Sequence, residues 1–264
     1  MSRLSATSPS ARYALAGAGL VSFAALWHVL TLGNGKGDVP GPWLTLLGLR
    51  EIASGGVLWR NIAASVFRVG WGFTLATLAG IPLGVLLGWH PRLRAACNPI
   101  VQCLRPISPI AWLPIAGLIF GGAKWFDASD LSAIFLIFLT SFFPIVTATA
   151  AAVATIDRKY LRSAANFGVR GFALFRRVLL PAAMPQILTG LRLALGIAWV
   201  VVVAAEMLGV QSGLGFQVND SRNILRMDLV TAAMVVIGLI GLLLDGGMAR
   251  LERASLARRG AGVR

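Results

Sequence analysis

Few residues in this 264-residue chain are equipped for chemistry. There are two histidines and two cysteines, Cys97 and Cys103. The cysteine spacing fits neither a redox CxxC pair nor a zinc site, and suits two small buried residues. His28 stands alone in an apolar run, where a hydrogen-bonded structural role suits it better than metal ligation. No G-x-x-x-x-G-K-[ST] phosphate loop, no H-E-x-x-H and no G-x-S-x-G elbow occurs. Three features remain. Glu206 follows a run of valines and alanines, and an acid at that depth either meets the headgroups or faces protein or water. Arg105 is expected near the inner end of span three, in a proline-rich segment, where it either helps an anion leave or snorkels to the interface. The third is a polar, basic stretch with two glycines, SAANFGVRGFALFRRVLLP, at 163–181.

The elements that must carry these residues are apolar. Hydrophobic residues make up 57% of the chain and charged residues 13%, about half the share in soluble domains. The apolar runs are continuous rather than alternating, which predicts a helical membrane protein and excludes a porin-like barrel. Six spans are expected, near 13–32, 62–89, 99–120, 131–154, 186–208 and 229–248. No A-x-A site follows the first run, so it reads as a retained span rather than a signal peptide. The expected organisation is a tail at 1–12, a six-span region at 13–248 and a basic tail at 249–264. Arginine and lysine crowd the tails and the connections after spans two and four, so both termini are expected in the cytoplasm. The net charge of +14 is thereby explained as a topology signal rather than a nucleic-acid patch. Arg60 and Arg68, in the first turns of span two, are expected at the interface.

Glycines 80, 84 and 88 line one face of span two and either admit a close helix neighbour or reflect ordinary glycine usage. Pro106, Pro109 and Pro114, with Trp112 among them, predict a kink in span three, beside a water-accessible path or as a purely structural bend. The 209–228 connection is long enough to pack back on the outer side. Asp245, at the inner end of span six, is expected to be solvated.

The stretch at 155–185 reads as a helix over about 158–167, a turn at Gly168 and Gly171, and a second helix over about 172–180. Phe172, Phe175, Val178 and Leu179 share one side of the second helix, and Pro181 and Pro185 lead into span five. Such a hairpin suits a protein partner or a lipid surface.

The order Ala164-Ala165, Gly168, Leu180-Pro181 resembles the EAA…G…LP loop in the membrane subunits of binding-protein-dependent ABC importers. Arg162 stands where that family usually has glutamate, with Ser163 and Ala164 in the two alanine positions. LRPISPIAWLPIA, SAIFLIFLTSFFPI, TGLRLALGIAWVVVVAAEMLG and GLGFQVNDSRN are similar to the nitrate/sulfonate/taurine/bicarbonate group of these permeases. The resemblance implies an all-α, six-helix, type I ABC importer permease in the inner membrane. It also implies a homodimer, a separate ATPase subunit carrying ATP and Mg, and an external or lipid-anchored binding protein. In this reading Arg162, Ser163, Ala164, Ala165, Gly168, Gly171, Phe172, Leu180 and Pro181 form the ATPase-coupling loop. Pro106, Pro109, Trp112, Pro114 and Glu206 are the candidates for the path of a small anion, and 209–228 and 122–130 for contact with the binding protein. No catalytic residue, metal site or cofactor is expected in this chain. The alternatives are a secondary transporter or channel and a membrane scaffold; neither an inverted repeat nor a set of coupling carboxylates is visible.

Overall fold

The computed structural model describes residues 9–32, 39–123, 127–157, 159, 163–164 and 166–260. Among them every regular element is helical. The contacts divide the chain into two units, 1–59 with 217–236, and 60–216 with 237–264.

The first unit contains α1 (Pro9–Leu32) and α2 (Pro42–Ser54), together with the ends of later helices. Pro42 begins α2, where a missing N–H costs nothing, and Gly56 at φ 72° follows its end. Helix α2 lies in a segment expected to be an outer connection. It is held where Thr45 meets Thr231 at 2.9 Å and Arg226 bridges Glu51 and Asp228. Hydrogen bonds to Asp228 first, and then to Glu51, raise the Arg226 pKa further above its ordinary value.

The second unit is built on α3 (Val57–Trp89), α6 (Ala128–Ala154) and α8 (Leu180–Gly209). The glycine face of α3 meets α6. A Cβ added at Gly72, Gly80, Gly84 or Gly88 would come within 2.7, 2.9, 2.5 or 2.6 Å of Ile137, Ile145, Thr149 or Val153. Only glycine, with Ala76 in the same register, permits that approach. Gly190 of α8 lies as closely on Ala148. At the start of α6, Asp127 accepts from the Ser129 N–H at 2.9 Å and from its hydroxyl at 2.8 Å. The backbone N–H first, and then the hydroxyl, hold this carboxyl below its usual pKa.

Among the described residues four helices are long and apolar enough to cross a membrane: Val57–Trp89, Ala128–Ala154, Phe175–Gly209 and Met227–Ser255. The last lies in α10 (Met227–Gly260), after α9 (Leu214–Asn223). The third expected span differs from a kinked rod. It is α4 (Pro91–Leu104), a break at 105–108, a 3₁₀ turn (Pro109–Trp112) and α5 (Leu113–Phe120), with an 89° bend. Pro106 and Pro109 remove two successive opportunities to continue the ladder, which breaks it outright. Counted as one span, the pair makes five crossings. Helix α1 has a shorter apolar run, Gly17–Leu32, of about 24 Å.

Candidate functional site

The hairpin turn is built on backbone geometry. The Ala164 carbonyl accepts from the Val169 N–H at 2.9 Å, and Gly168 between them has φ 73°. This six-to-one bond around a left-handed glycine ends a helix and reverses the chain. Gly171, at φ 58°, begins the return. Ser163 and Phe167 are exposed, the latter 86%, whereas Ala164 is buried in its own chain rather than open to a partner. Arg162 and Ala165 lie outside the described residues, as does half of the first expected helix.

The second expected helix does not stop at Leu180-Pro181. Helix α7 (Gly171–Leu174) passes through a π turn (Phe175–Leu179) directly into α8. The Leu180 N–H reaches back to the Phe175 carbonyl, so the wider turn places Pro181 in the first turn of α8. Leu179 is buried among Ala152, Val153 and Ala183, Phe175 packs at the margin, and Arg176 and Arg177 face outward. The backbone of Phe172 is part of α7.

At the far end of α8 lies a closed ion cluster. Arg68 on α3 is 1% exposed and Glu206 is fully buried. The Arg68 Nη1 donates to Glu206 Oε1 at 2.6 Å and to the Ser212 carbonyl at 3.0 Å. Nε donates to Asp130 at 2.8 Å, and Nη2 reaches Asp130 and the Ser212 hydroxyl. Four hydrogen bonds and two ion pairs thus engage all three nitrogens of the guanidinium. Glu206 Oε2 accepts from Ser65 at 2.8 Å and from the Gly215 N–H at 3.0 Å. Ser65 accepts from the Leu214 N–H, and Asn61 from the Gly213 N–H. Gly213 has φ 104°, and a Cβ there would strike the Glu206 carboxyl. The 210–215 backbone therefore packs back onto the helix ends, as expected of this connection.

Arg68 is buried in this cluster, among residues at the helix ends, rather than open on a helix surface. The legible signal was Asn61, Ser65 and Arg68 at spacings of four and three, a polar stripe on one face of an apolar helix. Nearer the other end of α8, Arg192 makes a bidentate pair with Asp245, both contacts 2.6 Å. Asp245 is therefore half-exposed and paired rather than simply solvated.

The proline candidates lie elsewhere. Pro106 is in the α4–α5 break, Pro109 and Trp112 bound the 3₁₀ turn, and Pro114 is in the first turn of α5. Pro109 and Trp112 line a cavity of about 230 Å³ with Arg105, Thr140 and Phe143. Glu206 does not join them; its carboxylate is enclosed by the cluster.

Residues 80–255 match the family described as "Binding-protein-dependent transport system inner membrane component". The chain is 37% identical over 196 residues to the taurine transport system permease protein TauC of Escherichia coli (strain K12), covering 74% of this chain and 69% of that one. It is 41% identical over 190 residues to the nitrate import permease protein NrtB of Leptolyngbya laminosa, covering 72% and 66%. Its fold matches an inward-facing structure of the MetNI methionine ABC transporter, with a TM-score of 0.67 over 77% of this chain and 98% of that one, at 19% identity.

Proposed function

Since the chain belongs to the family of binding-protein-dependent transport inner membrane components, we propose that it carries a small oxyanion across the membrane, driven through the hairpin at 155–185. It is a permease subunit of an ABC importer, a multi-pass inner-membrane protein, and ATP hydrolysis belongs to a separate subunit. Secondary transport and scaffolding give way to this membership. The relatives named for taurine and nitrate support an anionic solute of that size.

One observation supports the coupling role. The return arm of the hairpin is continuous with a membrane span, and the helical run 171–209 is about 58 Å long. A displacement at Gly168 is therefore passed along a rigid element to Glu206 and the loop pinned on it. In this reading two copies form the path, and both termini and the hairpin face the cytoplasm. ATP and Mg bind the partner ATPase, which grips Ser163, Phe167 and Gly168; Arg162, Ala165, Gly171, Phe172, Leu180 and Pro181 complete the loop. ATP-driven closure of the ATPase pair draws the hairpins together, and the spans rock between inward- and outward-open states. The nucleotide must bind one state more tightly, because equal affinity shifts nothing. The loops at 209–228 and 122–130 meet the binding protein. Helix α1 supplies a sixth crossing, and Pro106, Pro109, Trp112 and Pro114 border the path. Glu206 serves that path indirectly, by holding the 210–215 loop.

Gly168→Pro tests the coupling. Proline cannot adopt φ 73°, so the turn is lost while the spans still insert. The ATPase should cease to co-purify, and ATP-driven uptake in proteoliposomes should stop. Undiminished uptake by correctly inserted Gly168→Pro permease removes the hairpin from the mechanism.

A further inference from the structure

We infer that Arg105 forms an anion-binding subsite at the mid-depth of the membrane, in the break between α4 and α5. The inference rests on the anion-importer reading and locates a point on its path.

Depth is the first observation. Arg105 lines the 230 Å³ cavity with Leu139, Thr140, Phe143 and Pro144 of α6 and Ile197 of α8. Those α6 residues lie midway along Ala128–Ala154, about 15–24 Å from either end. Ile197 lies about 18 Å from the end of α8 at Gly209. Arg105 is therefore not at the end of a span, where a long side chain reaches the headgroups.

The second observation is the absence of a counter-charge. Among the described residues every ion pair is made by Arg68, Arg192 or Arg226. Arg105 is exposed and in none of them. Arg68, by contrast, is buried and meets two carboxylates. A guanidinium at this depth cannot face hydrocarbon and must face water or protein.

The break explains its position. Pro106 and Pro109 lack the N–H groups that would carry α4 onward, so the chain turns by 89° where the arginine stands. The indole of Trp112 and the ring of Phe143 wall the cavity, and low-polarity walls strengthen attraction between a cation and an anion. The planar fork of arginine matches a trigonal or tetrahedral oxyanion in two-point contact. The cavity holds one such ion with a few waters. A fixed positive charge with no carboxylate beside it among the described residues draws the anion in, and a water-accessible break lets it leave.

The assay uses the full transporter, permease with ATPase and binding protein, in proteoliposomes with nitrate, taurine and bicarbonate as separate probes below saturation. Arg105→Gln should lower uptake of the transported anion by about tenfold to a hundredfold, as expected for a lost charged hydrogen bond. Arg105→Lys, which keeps the charge but not the fork, should recover part of it. In a Cys97→Ser, Cys103→Ser background that keeps Arg105, Ser108→Cys in the same break should react with an anionic methanethiosulfonate, and the transported anion should slow the reaction. Adding Arg105→Gln should abolish that protection while a neutral methanethiosulfonate still labels the cysteine. Wild-type uptake with Arg105→Gln within twofold of it overturns the subsite alone. Failure of Ser108→Cys to label in inserted protein also overturns it, as does anion protection that survives Arg105→Gln. No uptake of any probe by wild type overturns the anion reading and the subsite together.

Discussion

Removing the Glu206 carboxylate should unfasten the Gly209 end of α8 from α3 and from the 210–215 loop. In Glu206→Ala three donors lose their acceptor: Arg68 Nη1, the Ser65 hydroxyl and the Gly215 N–H. Breaking a buried ion pair by deleting one partner costs about 3–5 kcal/mol. Arg68 keeps Asp130, whose side chain is 34% exposed, so the lower end applies, about 3 kcal/mol. Glu206→Gln retains one oxygen for Arg68 but turns an amide against Ser65 or the Gly215 N–H, a loss of about 1–2 kcal/mol. In Arg68→Met with Glu206→Met, the single losses should fail to add, because neither charge remains buried alone. The assay is unfolding by sodium dodecyl sulfate in mixed micelles, followed by tryptophan fluorescence. It is paired with hydrogen exchange at the Gly213, Leu214 and Gly215 amides, which donate to Asn61, Ser65 and Glu206. Exchange at Gly215 should accelerate most. If Glu206→Ala unfolds within about 0.5 kcal/mol of wild type and these amides exchange no faster, the cluster does not pin the loop.

Gly84→Ala places a Cβ 2.5 Å from the Thr149 Cβ and 2.8 Å from the Val146 carbonyl. It should cost about 1–3 kcal/mol by forcing α3 from α6, whereas Gly117→Ala, with open space around it, should be neutral or slightly stabilising; thermal unfolding in detergent that ranks the two alike refutes the tight-approach argument. Asp127→Ala should weaken the start of α6 by about 0.5–1 kcal/mol at neutral pH. Because the Asp127 pKa is lowered on folding, its contribution is complete above the ordinary carboxylate range near pH 4 and lost as pH falls through the depressed value. Wild type and Asp127→Ala should thus converge in acid, and a difference that persists or grows there would contradict the capping role.

Much of this protein follows from local order along the chain. Apolar runs mark spans wherever they occur, because a bilayer demands about twenty consecutive apolar residues whatever the neighbours are. The glycine face of α3 is legible because a four-residue period puts Gly80, Gly84 and Gly88 on one line. Gly168 and Gly171 are legible as a turn because only glycine adopts positive φ freely. The order of alanine, glycine and Leu-Pro carries the family resemblance for the same local reason.

Tertiary structure decided which helix meets that glycine line, and that Arg68, Asp130, Glu206 and Ser212 share one cluster. Those residues are separated by as many as 144 positions, and no period along the chain relates them. It also decided what the prolines do. A missing N–H permits a kink, a break or a passage through a wider turn, and local sequence does not choose among them. At Pro106 and Pro109 the ladder ends, and at Pro181 a π turn lets it continue. The depth of Arg105 was hidden for a related reason: a hydropathy boundary places a residue along its own helix, while the neighbouring α6 and α8 show how far that point lies from either end of the spans.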